Sequence, residues 1–264
     1  MSFLVLHMEK VLFPAFGNRG SSLFAILKKA ACERKRRERT EDEGAGKEMN
    51  RRFATGIIFD MDNTLLHSKI NFAEMKQAIF QLWTEHGLIE PTFDWHSHTA
   101  SQLIELGRKS GRLTSQLEQE MWGAVTAIEK AGMHEAVLEN HAQEVLAQLM
   151  ERHHLFILTN NAYAAAEEAL HQTGIAGCFE KIVAREQMAT LKPHPSGIHY
   201  IRRQYPDMPA SAWTMVGDSW IDGKAAQDGE VAFIAYQGHA QDMERHDVAP
   251  QAYIADLREL LTML

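Results

Sequence analysis

Two cysteines, Cys32 and Cys178, are too few for a disulfide framework, and no C-x-x-C or Cys/His cluster offers a structural zinc site. The chain therefore reads as intracellular, and a cytoplasmic location is expected. Apolar runs are short: Leu23 to Leu27 and Ile57 to Phe59 fall far below the roughly 18 residues that span a bilayer. Seventeen glycines and seven prolines exclude a collagen-like or low-complexity chain. What is present, 264 residues with 45% hydrophobic and 23% charged, is enough for one large domain or a domain with an appendage. Disorder as the main state is excluded.

Positive charge is scarce except at one end. Residues 1 to 52 hold 12 Lys and Arg against 7 Asp and Glu, a net of +5, leaving 15 against 28, a net of −13, for residues 53 to 264. An acidic body argues against nucleic acid as a partner, and no membrane partner is expected. The basic run Arg34 to Arg39 passes into Glu41, Asp42 and Glu43 without strand alternation or a sustained helical stripe. Residues 1 to 52 are read as a disordered or loosely helical leader, either an unstructured extension or an over-annotated start ahead of Met49. A surface patch for nucleic acid or membrane, a transit peptide and a partner-binding arm stay open as alternatives.

From Phe53 the pattern becomes α/β. Gly56-Ile57-Ile58-Phe59 is a buried-strand run that delivers Asp60 at its end; Leu155 to Leu158 delivers Thr159-Asn160-Asn161, and Trp213 to Val216 delivers Gly217-Asp218-Ser219. Ile182 to Ala184 and Val231 to Ala235 are further strands. Helices are predicted over Ala162 to Thr173, Ser196 to Gln204 and Ile221 to Gln227. Strand and helix in alternation imply a Rossmann-like parallel sheet with helices on both faces and a site at one edge. Between the first two strands lies a long helical segment. Phe72, Met75, Ile79 and Leu82, then Leu117, Met121, Val125 and Ile128, then Leu138, Ala142, Val145 and Leu149 recur at helical spacing. Ser115 with Glu118 reads as a capping box. Residues 69 to 133 are predicted to be an inserted helical cap, and residues 53 to 68 with 134 to 264 the core.

Asp60-Met61-Asp62-Asn63-Thr64 sets two carboxylates two residues apart beyond a strand, and Gly217-Asp218-Ser219-Trp220-Ile221-Asp222 sets two more beyond another. Thr159 ends a third strand, and Lys192 precedes Pro193 in a polar loop. Phosphate monoesters resist water, so their hydrolysis calls for a positioned nucleophile and much cancellation of charge. A carboxylate can serve as nucleophile, and a second as acid and base. These four elements, in this order over residues 55 to 236, resemble the haloacid dehalogenase superfamily: D-x-D-x-T, a strand ending in Thr, Lys before Pro, and G-D-S-x-x-D.

The resemblance implies a Mg2+-dependent phosphatase acting on a small phosphorylated metabolite through an aspartyl-phosphate. Asp60 would be the nucleophile and Asp62 the acid and base; Thr159, Asn160 and Lys192 would hold the phosphate. The metal set would be Asp60 and Asp218 by side chain, Asp62 by its carbonyl and Asp222 in support. Asp62 favours phosphorus over carbon as the electrophile, and a helical insert directly after the first motif is similar to the C1 cap of the phosphoglycolate phosphatase and β-phosphoglucomutase branch. Asn63 departs from the Gly common there, although Asn tolerates positive φ. A sugar phosphomutase and a non-catalytic phospho-ligand module stay open, as do a monomer and a homodimer. In the cap, Arg108, Lys109 and Arg112 are candidate substrate contacts or a solvated helix end. His96 and His98 read as surface histidines, His67 as a pocket or edge residue, His153 and His154 as helix-end cations, and Cys178 as a buried apolar residue.

Overall fold

The computed structural model describes residues 55–264. The leader expected over residues 1 to 52 lies outside the described residues. Six parallel strands form one sheet: β1 (Gly56–Phe59), β4 (His154–Leu158), β5 (Lys181–Val183), β6 (Trp213–Gly217), β7 (Ala232–Tyr236) and β8 (Ala252–Ile254). Their order is β5-β4-β1-β6-β7-β8. Ile57, Ile58, Phe59 and the whole of β4 are buried, as strands covered on both faces must be. The α/β, Rossmann-like architecture expected from alternation is the one observed.

From β1 the chain builds outward to β4 and β5, then returns to β6 and continues the other way to β7 and β8. Strand order thus reverses beside β1, the place where an open α/β sheet leaves a crevice at its carboxyl edge. Phe59 is in register with Ile157 on one side and Val216 on the other, so Asp60 emerges between the ends of β4 and β6. The helices α5 (Tyr163–Gln172), α6 (Ser196–Arg202) and α7 (Trp220–Asp228) make the crossovers. Each starts and ends within two residues of its sequence-based expectation.

Two short strands, β2 (Leu66–His67) and β3 (Val137–Leu138), pair antiparallel and bracket the insert. Between them run α1 (Phe72–Glu85), α2 (Ala100–Lys109) and α3 (Ser115–Met133). In α1, Met75, Ile79 and Trp83 form the buried stripe, and the Trp83 indole donates to the Leu103 carbonyl at 2.9 Å, joining α1 to α2. The cap of α3 is Thr114, whose hydroxyl accepts from Leu117 N–H at 3.2 Å; Ser115, expected in that role, is the first helical residue. Leu138 lies in β3, so the third predicted helical stripe begins only at Ala142, in α4 (Ala142–Leu149). Two short helices, α8 (Ala240–Arg245) and α9 (Leu260–Met263), complete the chain.

His153 and His154 do not cap a helix. Both are buried where α4 leads into β4: His153 Nδ1 lies 2.6 Å from Thr55 Oγ1, and His154 Nδ1 lies 2.9 Å from Glu180 Oε1. Burial, with Arg152 and His154 nearby, pushes the His153 pKa down, against the role of a helix-end cation.

Candidate active site

The site is built where three neighbouring strands end. Asp60 N–H donates to the Val216 carbonyl at 2.8 Å, carrying the sheet pairing one residue past β1. The chain then turns sharply, with Leu65 and Leu66 N–H both donating to the Met61 carbonyl at 3.0 Å. Asn63 takes φ 55°, the left-handed conformation that Asn reaches at modest cost, so the turn survives the missing glycine. It leaves Asp62 beside the end of β4, where its Oδ2 accepts from Asn161 Nδ2 at 2.5 Å.

Lys192 reaches the same point from the loop before α6. The Asn160 side chain clamps its backbone, accepting from Lys192 N–H at 2.9 Å and donating to its carbonyl at 3.0 Å. With its backbone fixed, the 2% exposed side chain donates to Asp60 Oδ1 at 2.5 Å, Asp222 Oδ1 at 2.7 Å and the Leu158 carbonyl at 2.8 Å. All three ammonium donors are thus used. Asp222 has a second duty, since its Oδ2 accepts from Ser219 N–H at 3.2 Å in the capping box that starts α7. Gly217 is required by this packing: a Cβ there would stand 2.6 Å from the Asp222 side chain. Thr159 is buried, and its hydroxyl accepts from Asn161 N–H at 3.2 Å.

Carboxylate oxygens of Asp60, Asp218 and Asp222 come within 4.8 Å of one another. Three acids therefore face one ammonium. Burial pushes Asp60 up to about 7 against the pull of Lys192, and burial with Asp222 and Asp60 nearby pushes Asp218 up to about 8. Burial also raises Asp62, opposed by hydrogen bonds from Ser68 and Asn161. For Lys192 burial acts to lower the pKa, but Asp222 and Asp60 outweigh it and raise the value, so the ammonium stays charged. A crowded, buried, all-oxygen donor set with excess negative charge suits a hard divalent cation such as Mg2+.

A cavity of about 450 Å³ adjoins this cluster, with Asn160, Asn161, Leu191 and Ile221 on the sheet side and Met75, Ile104, Trp122 and Val125 among the residues contributed by the insert. Arg108, Lys109 and Arg112 do not line it. Arg108 pairs with Glu105 and Glu118, Lys109 is exposed, and Arg112 reaches the Leu88 carbonyl. His96 and His98 do line it; His67 instead pairs with Glu139 beside the ribbon.

Two side chains at the site escaped the sequence reading. One is Asn161, which orients Asp62. The other is Glu129, 2% exposed, on the buried stripe of α3 four residues after Val125. It accepts from Arg185 Nη1 at 2.7 and 2.8 Å and from Ala162 N–H at 3.1 Å, while Arg185 N–H donates to the Asn161 carbonyl at 3.2 Å. The Arg185 guanidinium also lies 4.4 Å from the centre of the Trp122 ring. An acid on an otherwise apolar stripe was the signal, because a core carboxylate needs a partner.

Among known proteins, the chain is 27% identical over 226 residues to phosphoglycolate phosphatase of Colwellia psychrerythraea, covering 79% of this chain and 96% of that protein. The fold is similar to a hydrolase from Pseudomonas syringae, with TM-score 0.59, 18% identity, and coverage of 79% and 96% of the two chains. It is also similar to a HAD-hydrolase from Bacillus subtilis bound to magnesium, with TM-score 0.50, 20% identity, and coverage of 80% and 99%. Residues 57–236, which run from the second residue of β1 to the end of β7 and hold every acid of the cluster, match the haloacid dehalogenase-like hydrolase family. The chain belongs to that family and is one of its hydrolases.

Proposed function

We propose that the chain is a Mg2+-dependent phosphatase of small phosphomonoesters, working through an aspartyl-phosphate on Asp60. The observation that carries this reading is the buried Asp60 carboxylate, held by Lys192 at 2.5 Å and facing Asp218 and Asp222 beside a cavity. The relatives' names as phosphoglycolate phosphatases, and the magnesium in the Bacillus subtilis neighbour, support it.

Asp60 and Asp218, with the Asp62 carbonyl and Asp222 in support, would hold Mg2+, which when bound offsets the charge of the phosphate dianion. The remaining work falls to the chain's own groups. Lys192 orients the Asp60 carboxylate and offers positive charge to the phosphoryl oxygens; Thr159 and Asn160 stand ready as hydrogen-bond partners for those oxygens. An Asp60 oxygen attacks phosphorus as the bond to the alcohol oxygen breaks, and protonated Asp62 gives that oxygen its proton. Burial raises the Asp62 pKa, the direction that favours the protonated acid over the carboxylate. Asp62, now ionised, takes a proton from water as the water oxygen attacks phosphorus, releasing phosphate and restoring Asp60. The helical insert, residues 69 to 133, acts as the cap that closes over this exchange.

The test is hydrolysis of a phosphate ester panel with and without Mg2+ by wild type and Asp60→Asn. Wild type should release phosphate only with Mg2+ and incorporate label from a phosphorus-labelled ester under acid quench. Asp60→Asn should lose at least about 10³-fold in kcat with an unchanged circular dichroism spectrum. Near wild-type turnover by Asp60→Asn would remove the nucleophile assignment.

A further inference from the structure

We propose that Asn161 is the positioning residue of the acid step and that Glu129 of α3 sets it in place, so that Asp62 is aimed only while the insert is seated on the sheet edge. The proposal deepens the phosphatase reading and rests on it. A carboxylic acid can give its proton from either oxygen, but only one of them can point at the departing alcohol. Asn161 makes that choice. Its Nδ2 donates to Asp62 Oδ2 at 2.5 Å, and an amide nitrogen can only donate, so Oδ2 is held as an acceptor. The proton of the acid form is left to Oδ1, which is buried with no close hydrogen-bond partner. Free of a competing bond, that proton is available to the leaving oxygen.

Asn161 is in turn fixed through one peptide group. Its carbonyl accepts from Arg185 N–H at 3.2 Å, and at the other end of the same peptide Ala162 N–H donates to Glu129 Oε2 at 3.1 Å. Glu129 then closes a ring, because its carboxylate accepts from Arg185 Nη1 at 2.7 and 2.8 Å. The peptide plane is gripped at both ends by two buried residues that are themselves paired. A buried ion pair is a poor source of net stability, since desolvation offsets much of the attraction. What it supplies here is direction.

The grip depends on the insert. Thr126 and Trp122, which also hold the Arg185 guanidinium, stand on α3 with Glu129. Without α3, the Asn161 backbone keeps only the Arg185 N–H and its own N–H bond to Thr159 Oγ1 at 3.2 Å. A misplacement of about 1 Å in a catalytic group can cost on the order of 10²-fold in rate. Seating the insert and aiming the acid are thus one event.

The experiment uses the full chain, Mg2+ and three esters of similar bulk whose leaving groups grow more basic: p-nitrophenyl, phenyl and benzyl phosphate. kcat/KM covers the steps up to the phosphoenzyme, where the acid acts; p-nitrophenolate departs with little help, whereas benzyl alcohol must leave with a proton. In Asn161→Ala the p-nitrophenyl to benzyl ratio of kcat/KM should rise about thirtyfold over wild type. Asn161→Leu, similar in volume and without a donor, replaces it if it does not fold. Glu129→Leu should raise the ratio about tenfold, with Glu129→Leu combined with Arg185→Met as its substitute if it does not fold. Glu129→Gln, which keeps an oxygen for the Ala162 N–H, should stay within about threefold of wild type. A clasp that only stabilises the fold would lower all three esters alike. An unmoved ratio in the Asn161 variants would overturn the positioning role. An unmoved ratio in the Glu129→Leu variants, or Glu129→Gln as skewed as Glu129→Leu, would overturn the grip by the insert; each of these outcomes leaves the phosphatase reading in place. No Mg2+-dependent release of phosphate from any phosphomonoester, these three included, would overturn both.

Discussion

At the scale of single residues, the site is a balance of three acids and one ammonium, and each substitution tips it in a definite direction. Replacing Asp62 by Asn keeps a hydrogen-bonding partner near Asn161 but removes the proposed proton donor and acceptor. Its kcat should fall about 10²- to 10⁴-fold, with phosphoenzyme accumulating in quenched samples if the second step suffers more. Asp218→Asn relieves the crowding that pushes Asp218 up to about 8 and Asp60 up to about 7. The Mg2+ concentration needed for half-maximal activity should therefore rise at least about tenfold in a metal titration, even as the metal-free protein melts higher. Asp60 and Asp218 were legible because each stands directly beyond a strand, Asp62 and Asp222 because they follow those two at short spacing, and Lys192 because it precedes a proline. Asn161 and Glu129 were not, since what makes them matter is a partner far along the chain: Asp62 lies 99 residues from Asn161, and Arg185 lies 56 from Glu129.

Between elements, Glu129 and Arg185 join α3 to the loops that follow β4 and β5. Glu129 accepts from the N–H of Ala162 as well as from Arg185, so the insert helix grips the segment that carries Thr159, Asn160 and Asn161. Glu129→Leu should strand a buried guanidinium and cost about 3–5 kcal/mol in urea unfolding. Glu129→Leu combined with Arg185→Met should cost less than the two single changes together, as a double-mutant cycle would register. The raised Glu129 pKa, about 7 and due to burial working against Arg185, has the same origin. Strands and crossover helices could be read within a residue or two because each buries a run or a stripe. α2, β8 and the β2–β3 ribbon could not. The two ribbon strands have two residues each and β8 has three, too few to show a period, and α2 buries Ser101 and Gly107 beside Leu103 and Ile104, so half of its buried stripe is not apolar. Of the basic cluster, Arg108 and Lys109 stand in the last turn of that helix and Arg112 beyond it, all outside the cavity lining.

For the molecule as a whole, the acid cluster couples folding to pH and, with the proposed cation bound, to metal. Asp60 and Asp218 rise from 3.8 to about 7 and about 8, so between those limits the folded chain binds more protons than the unfolded one. Without metal, stability contributed by this cluster is highest at low pH and is lost as pH rises through that window. A divalent cation reverses the preference by favouring the ionised acids. Thermal melts should show Mg2+ raising Tm by a few degrees near pH 8 and scarcely at all near pH 5, with Asp218→Asn flattening the difference. A uniform Mg2+ effect across that range would refute the coupling. No described helix is long and apolar enough to cross a membrane. The β2–β3 ribbon has a consequence of another kind. Leu66 pairs with Leu138 and His67 with Val137, so the chain leaves the sheet domain and comes back at touching points. Along the chain everything between them is a detour: a tight hairpin turn from His67 to Val137 would rejoin the strands' path, though it would leave Arg185 and the Ala162 N–H without Glu129.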